Sequence, residues 1–214
     1  MGTTKIDRER VADTALRLLN EVGLDGLTLR AIARELDVKA PALYWHFKDK
    51  QALLDEMATV MYRRMLDEDL PGPTPERWQD QLVAYHRALR TALLRYRDGA
   101  KVYSGARFTG TDHADSLESH LRTMVEAGFE LWQAVRVGTT AHAYTLGFVT
   151  EEQGVQPMPD ERRDGYDIDE RARRMARYPL AAAAGAEIFA HYDERFEDGL
   201  QLLVAGIEAR YGVR

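Results

Sequence analysis

Residues 37–50 read Asp-Val-Lys-Ala-Pro-Ala-Leu-Tyr-Trp-His-Phe-Lys-Asp-Lys, and this stretch decides the architecture of the N-terminal region. Pro41 suits the first turn of a helix, because its missing N–H and its fixed φ carry no penalty there. Asp49 is a good N-cap for a following helix, so the helix that begins near Pro41 is predicted to end around His46. The stretch is therefore predicted to hold one very short helix, with a second helix directly behind it.

The short helix has only one side that can face a core. Leu43 and Phe47, four residues apart, are predicted to be its buried anchors. Tyr44, Trp45 and His46 then face largely outward. Large aromatic rings on a surface indicate contact with another molecule.

The residues before this stretch supply another helix and a tight turn. Thr28 is a suitable cap for a helix over residues 29–36, and residues 37–39 form the turn that leads into the Pro41 helix. A helix, a short turn and a second helix are typical of helix-turn-helix DNA-binding proteins, whose second helix enters the major groove. An ordinary helical hairpin with a polar surface is the alternative that spacing alone leaves open.

The rest of the chain shows helical periodicity and no strand-length alternation, so the protein is predicted to be all-α. The first helix covers residues 7–22 and ends at Gly23, and the run from Pro71 to Pro75 marks a connection. The later predicted helices cover residues 50–66, 75–97, 100–106, 112–127, 130–153, 168–177, 180–191 and 194–211, with a surface loop over residues 155–168. This pattern divides the chain into a three-helix helix-turn-helix domain (residues 1–50), a connecting helix (50–67) and a helical body (68–214).

The composition limits the classes of function. With 214 residues, of which 45% are hydrophobic and 30% charged, the chain can bury a sizeable core beneath a charged surface. It contains no cysteine, which excludes disulfides, thiolate metal sites and cysteine catalysis. No run approaches 18 apolar residues and the N-terminus lacks the apolar core of a signal peptide, so a cytoplasmic protein without a membrane partner is expected.

The net charge of −6 is unevenly distributed along the chain. Residues 1–50 carry nine Lys and Arg against eight Asp and Glu, a net charge of +1, which leaves −7 on the remainder. A slightly basic head on an acidic body is compatible with a local DNA footprint, and the body discourages non-specific binding.

Motifs for catalysis are missing: the sequence has no Gly-rich phosphate loop, no His-Glu-x-x-His and no Gly-x-Ser-x-Gly. His113 and His120 are able to share a helix face, but two ligands without a third rarely hold a transition metal. An enzyme with a DNA-binding appendage is therefore a weak alternative. A constitutive DNA-binding protein without a ligand is a further alternative, against which stands the large body with many aromatic residues. Those residues suit an apolar pocket, although they also serve to fill core between helices.

Several segments match a known family. They are residues 20–28 (Asn-Glu-Val-Gly-Leu-Asp-Gly-Leu-Thr), 43–46 (Leu-Tyr-Trp-His), 50–54 (Lys-Gln-Ala-Leu-Leu), 97–102 (Arg-Asp-Gly-Ala-Lys-Val) and 145–149 (Thr-Leu-Gly-Phe-Val), with Ala33, Leu36, Val38, Pro41, Gly128, Phe129 and Glu151. Together they resemble the TetR family of repressors, and within it the tetracycline-repressor branch. The resemblance implies a homodimer, formed through residues 130–153 and 194–211, that binds a palindromic DNA operator and is released by a small-molecule inducer.

The resemblance also implies DNA contacts at individual residues. Contacts to phosphates and bases fall on Thr28, Arg30, Pro41, Tyr44, Trp45, His46 and Lys50. The base-reading positions are occupied by Lys39, Ala40 and Ala42, where the tetracycline repressors have Glu, Gln and Thr. Because alanine cannot read adenine as glutamine does, the operator is expected to differ from the tetracycline operator.

The inducer is where the sequence departs from this branch. The tetracycline repressors bind a magnesium chelate through one histidine on a short helix and through a histidine and a glutamate on a long helix. The resemblance puts Tyr103 and Ala143 at the two histidines, with His142 one residue away, and only Glu151 matches. A neutral tyrosine is a poor magnesium ligand, so we expect a metal-independent, aromatic or polycyclic inducer and no cofactor. The expected ligand-binding residues are Leu66, Tyr85, Leu89, Tyr103, Arg107, His120, His142, Tyr144 and Glu151.

Overall fold

The structure is a computed structural model that describes residues 7–70, 72 and 75–213. Its regular elements are all helical within those residues, as predicted. The helices are α1 (Arg8–Gly26), α2 (Leu29–Glu35), α3 (Ala40–Tyr44), α4 (Lys50–Arg64), a π-helical turn (Met65–Asp69), α5 (Trp78–Leu94), α6 (Gly99–Tyr103), α7 (Asp112–Glu126), α8 (Leu131–Val155), α9 (Ile168–Arg174), α10 (Pro179–Ala183), α11 (Gly185–Phe189) and α12 (Tyr192–Tyr211). No helix in the described ranges is long and apolar enough to cross a membrane.

Side-chain caps set the boundaries of the N-terminal helices. Asp7, Thr28 and Asp49 cap α1, α2 and α4, each with a side-chain oxygen that accepts a backbone N–H three residues later, at 2.8, 3.1 and 2.8 Å. Gly23 interrupts α1 with a φ of +68°, a conformation that glycine adopts without a Cβ penalty. The predicted end at Gly23 is therefore a kink, after which α1 continues for one further turn.

Two hydrophobic cores hold the chain together. The first core contains side chains from every helix from α1 through α6, together with Val149 of α8. It therefore runs from the N-terminal helices into the larger C-terminal part without a break. The second joins α5, α7, α8 and α12, with Trp78, Phe129, Phe196 and Leu200 among its buried members. The predicted boundary between head and body, at residues 50–68, therefore separates helices that share one core. The division into two domains stays a prediction.

Several predicted helix ends were wrong by a few residues. The helix expected from Thr74 or Pro75 begins at Trp78, and Thr74 itself lies outside the described residues. α8 passes through Gly154 and ends before Pro157, because the residue ahead of a proline disfavours helical φ and ψ. Residues 180–191 form two short helices, α10 and α11, in place of one.

Asp98 and Gly99 form the sharp junction between α5 and α6. Asp98 has a positive φ of 56°, and a Cβ on Gly99 would clash with the backbone carbonyl of Leu93. Only glycine fits at the second position without displacing α5. This junction fixes the direction of α6, which lies between the N-terminal helices and the body.

Candidate functional site

α3 presents two aromatic rings to solvent. Leu43 and Phe47 are fully buried, which confirms the predicted anchors. Tyr44 is 55% exposed and Trp45 is 89% exposed. His46 is half-buried, and its backbone carbonyl accepts a hydrogen bond of 2.5 Å from an arginine of α1. The outward aromatic surface is therefore formed by Tyr44 and Trp45, while His46 lies partly in the packing against α1.

The other predicted DNA-binding residues surround these rings. Thr28, Arg30, Lys39 and Pro41 are exposed, and the small residues Ala40 and Ala42 are partly exposed. Lys39 is the N-cap residue of α3, and its side chain makes no capping hydrogen bond. The geometry is that of a helix-turn-helix surface, in which the start of the second helix is free to contact base edges.

Lys50 has a partner that the sequence did not indicate. Its ammonium group donates to the backbone carbonyl of Leu24 at 2.9 Å, so it holds the last turn of α1 against the start of α4. An ammonium group has three donors, and the exposed Lys50 retains donors for a phosphate.

A cluster of aromatic and histidine side chains lies between α4, α5, α6, α7 and α8. We call it the aromatic–histidine cluster; its members are Tyr62, Tyr85, His86, Tyr103, Phe108, His113 and His142. The ring centroid of Tyr103 lies 5.6 Å from that of Phe108 and 6.1 Å from that of His142. Because the rings contact one another, an aromatic ligand would have to separate them in order to bind between them.

The hydroxyl groups of Tyr85 and Tyr103 are neutral. Burial raises the pKa of Tyr85 and the pKa of Tyr103 above that of a free phenol, and the two hydroxyls share a hydrogen bond. A neutral phenol is a hydrogen-bond partner for a ligand and a poor ligand for a divalent cation. Among the residues that the structure describes, no three His, Asp or Glu side chains are grouped so as to hold a metal ion.

The histidines beside these rings are also held neutral. Burial, with repulsion from His142 and His120, lowers the pKa of His86 to about 3, and its Nδ1 lies 3.0 Å from Thr145 Oγ1. Burial also lowers the pKa values of His120 and His142. His120 Nδ1 lies 3.2 Å from Gln81 Oε1. These imidazoles therefore offer the site polar groups without charge.

His86 is expected to make the protein less stable in mild acid. Between about pH 3 and 6.5 the unfolded chain binds a proton at this residue that the folded chain excludes, so the stabilisation is complete above pH 6.5 and is lost as the pH falls through this window. The loss amounts to about 2 kcal/mol at pH 5. Thermal unfolding at pH 7 and pH 5 is expected to show a smaller pH effect for His86→Gln than for the wild type. The matched exposed variant His191→Gln is expected to behave like the wild type, and equal pH effects in all three proteins would contradict the assignment.

The structure brings six of the nine predicted ligand-binding residues to the cluster or to the first core beside it. Tyr85, Tyr103 and His142 belong to the cluster, His120 adjoins it, and Leu89 is fully buried in the first core. Leu66 packs against the same core. His86 was not among the predicted ligand-binding residues, although its spacing from Leu82 and Leu89 places it on the same buried stripe of α5.

Three predicted ligand-binding residues lie elsewhere in the chain. The Tyr144 hydroxyl donates to the carbonyl of Phe196 at 3.0 Å, and its ring stacks on that side chain at 5.5 Å. Tyr144 lies two positions after His142 on α8. Each position along a helix rotates the side chain by about 100°, so the Tyr144 ring faces α12 and not the cluster. Arg107 and Glu151 are exposed, and the buried carboxylate at this end of α8 is Glu152, bound to Arg90.

α6 is connected to the N-terminal helices at both of its ends. Asp98, just before α6, accepts the backbone N–H of Leu24 at 3.0 Å. Burial raises the pKa of Asp98, but this hydrogen bond and the neighbouring Lys101 outweigh burial and lower it overall. After α6, the N–H of Arg107 donates to Asp55 at 3.1 Å, so the following loop is held against α4.

Asn20 adds a second connection at the same end of α6. Its side-chain oxygen accepts the N–H of Arg97 at 2.9 Å, and its side-chain nitrogen donates to the carbonyl of Arg95 at 3.1 Å. Two clefts, of about 350 Å³ beside Leu24 and about 530 Å³ beside Tyr192, lie outside the aromatic–histidine cluster. A movement of α6 would therefore pull directly on the helices that carry the exposed α3 surface.

These features define a helix-turn-helix DNA-binding regulator with a second, helical ligand-binding domain. Sequence models of two families match the chain: "Bacterial regulatory proteins, tetR family" over residues 11–57, and "Tetracyclin repressor-like, C-terminal domain" over residues 70–211. The chain is 38% identical over 211 residues to the tetracycline repressor protein class A from transposon 1721 of Escherichia coli. The matched region covers 97% of this chain and 93% of that protein. The chain belongs to the TetR family of transcriptional regulators and is not an enzyme.

Solved structures of family members agree with this assignment. A single-residue variant of TetR from Acinetobacter baumannii AYE, in complex with minocycline, is 35% identical, with a TM-score of 0.74 over 96% of this chain and 98% of that chain. The actinorhodin complex of ActR from Streptomyces coelicolor is 25% identical, with a TM-score of 0.80 over 98% of this chain and all of that one (100%). The predicted family and the predicted all-helical fold are both confirmed.

Proposed function

We propose that the protein represses transcription as a homodimer on a palindromic operator and is released by an aromatic or polycyclic inducer that binds without a metal ion. The observation that carries the proposal is the position of Tyr103. It lies in the aromatic–histidine cluster and on α6, which is connected to the N-terminal helices at both ends. A ligand that separates the rings around Tyr103 would therefore act on the DNA-binding surface.

The homodimer is supported by apolar side chains that a single chain leaves exposed. Leu131, Trp132 and Val135 on α8 are about half-exposed, and Leu202 on α12 is 75% exposed. Apolar surface on two long neighbouring helices suits a four-helix bundle with a second copy of the chain. A two-fold dimer would present its two α3 helices to half-sites about 34–36 Å apart, one turn of DNA.

The chemistry of the inducer follows from the side chains of the cluster. Aromatic rings and neutral hydroxyl and imidazole groups suit a polycyclic ligand that carries hydroxyl or carbonyl groups. Two solved relatives of similar fold are complexes with polycyclic ligands, one with minocycline and one with actinorhodin. The domain boundaries drawn from the sequence remain part of the proposal: a head over residues 1–50 carries the DNA-binding surface and a body over 68–214 carries the inducer site.

Release of DNA requires that the inducer bind the free state better than the DNA-bound state. In the DNA-bound state, closely packed rings would hold α6 in place, together with its hydrogen bonds to Leu24 and Asp55. Insertion of a ligand would shift α6 and strain these bonds. The two α3 helices would then lose the separation that a palindrome requires.

Fluorescence anisotropy of labelled operator tests this proposal, with the inducer identified from a panel of polycyclic aromatic compounds that includes actinorhodin. A compound from the panel is expected to release the wild-type protein. Tyr103→Phe, which loses one hydroxyl of the cluster, is expected to need a higher concentration of the compound for release from the operator. The control Tyr144→Phe loses a part-buried hydroxyl that faces α12 and is expected to respond like the wild type. Operator binding that no compound of the panel alters would favour the constitutive alternative.

Magnesium-tetracycline is expected not to be the inducer. Tyr103 occupies the position that the resemblance assigns to the coordinating histidine, and burial keeps its hydroxyl protonated. Isothermal titration calorimetry with tetracycline in the presence and absence of Mg²⁺ is expected to show no magnesium-dependent binding. Tight binding that depends on Mg²⁺ would refute the metal-independent site.

A further inference from the structure

The first turn of α3 carries a single hydrogen-bonding side chain. Residues 38–43 read Val-Lys-Ala-Pro-Ala-Leu, so Lys39 alone has a polar group in its side chain. Lys39 is exposed, and it makes no hydrogen bond or ion pair with any residue that the structure describes. Its ammonium group is therefore available to a partner outside the chain.

The surroundings of Lys39 favour a base over a phosphate as that partner. In helix-turn-helix proteins the N-terminal residues of the second helix contact base edges in the major groove. Ala40 and Ala42 carry only methyl groups, so this end of α3 can approach the floor of the groove closely. Two other exposed cations lie on either side of Lys39 in the sequence: Lys48, after α3, suits a phosphate, and Arg30, on α2, is among the residues that the resemblance assigns to phosphate and base contacts.

Among the four bases, guanine fits a lone ammonium group best. Guanine presents two acceptors, O6 and N7, side by side in the major groove. Adenine places a donor beside its N7, cytosine presents a donor, and thymine offers one acceptor with a methyl group. An ammonium group has donors and no acceptor, so the adenine and cytosine edges oppose it.

We propose that Lys39 selects a guanine in each operator half-site. The inference rests on the proposed function, because it assumes that α3 enters the major groove. It extends that function by stating which residue sets the operator sequence and which base it reads. Alanines at the neighbouring positions leave Lys39 as the only donor for a base edge in the first turn.

Selection of operators from random DNA duplexes, followed by anisotropy titrations, tests the inference. The wild type is expected to enrich a palindrome with a guanine in each half-site. Replacing that guanine by 7-deazaguanine removes N7 and keeps the base pair. This replacement is expected to weaken wild-type binding by roughly fivefold or more. Lys39→Ala is expected to bind the two DNAs equally well.

Lys48→Ala serves as the matched control, since it removes an exposed lysine outside α3. It is expected to weaken binding to both DNAs equally and to reduce the salt dependence by about two units, because a two-fold dimer loses one phosphate contact in each half-site. If Lys39→Ala gave this same uniform loss and remained sensitive to 7-deazaguanine, Lys39 would be a phosphate contact and the inference would be wrong. A wild type that enriches no palindrome would overturn the proposed function, and the inference with it.

Discussion

Replacing Tyr44 by alanine is expected to lower operator affinity by roughly 10²–10⁴-fold while the protein stays folded. The Tyr44 ring is more than half exposed, so its removal leaves both cores intact. Covering an aromatic side chain stabilises a complex by about 1.5–3 kcal/mol, and a two-fold dimer makes each contact twice. The combined loss of about 3–6 kcal/mol corresponds to that range of affinity. Anisotropy titrations with the selected operator measure it.

The matched control for this prediction is Tyr178→Ala, which removes an exposed tyrosine between α9 and α10. Both variants are expected to unfold within about 0.5 kcal/mol of the wild type, as is usual for surface positions. Only the Tyr44 variant is expected to lose operator binding. Its salt dependence is expected to match that of the wild type, because no charge is removed. A folded Tyr44→Ala protein with unchanged affinity would show that α3 does not dock as proposed.

Leu202→Asp is expected to convert the proposed homodimer into a folded monomer that no longer binds the operator. Leu202 is exposed in the single chain, and a carboxylate there would be buried twice at a two-fold seam. Unpaired buried charges cost several kcal/mol each, which exceeds what most interfaces tolerate. Size-exclusion chromatography with light scattering at micromolar concentration measures the change.

Two further variants separate assembly from folding. Val204, two residues along, is 9% exposed and belongs to the second core, so Val204→Asp is expected to destabilise the chain itself. Val22→Asp places the same charge on an exposed position of α1 and is expected to leave the dimer intact. A Leu202→Asp protein that remains dimeric would place the seam elsewhere on α8 and α12.

The N-terminal helices were predictable because their signals are local. Thr28 and Asp49 cap helices through atoms three residues away, and the spacing of Leu43 and Phe47 alone decides which side of α3 is buried. None of these features depends on the rest of the fold. The outward position of Tyr44 follows directly from them.

The candidate ligand site was harder to predict because its helices have apolar residues on more than one side. α8 packs against α5 on one side and α12 on another, and its residues Leu131 and Val135 remain exposed. Periodicity in such a helix indicates burial without saying which neighbour is contacted. Tyr144 was therefore assigned to the ligand site although it faces α12. Long-range partners, such as the Leu24 carbonyl for Lys50, leave no pattern in the sequence.

The two backbone hydrogen bonds of Leu24 bear on the rate and the affinity with which the free protein binds DNA. Its N–H is held by Asp98 of the body, and its carbonyl is held by Lys50 at the start of α4. With both polar groups of Leu24 engaged, we expect the head to be restrained against the body before it meets an operator. Binding then loses little conformational entropy, because the two recognition surfaces are already oriented. A substitution that frees the N–H or the carbonyl of Leu24 is expected to lower the association rate with DNA while the contacts to the bases stay the same.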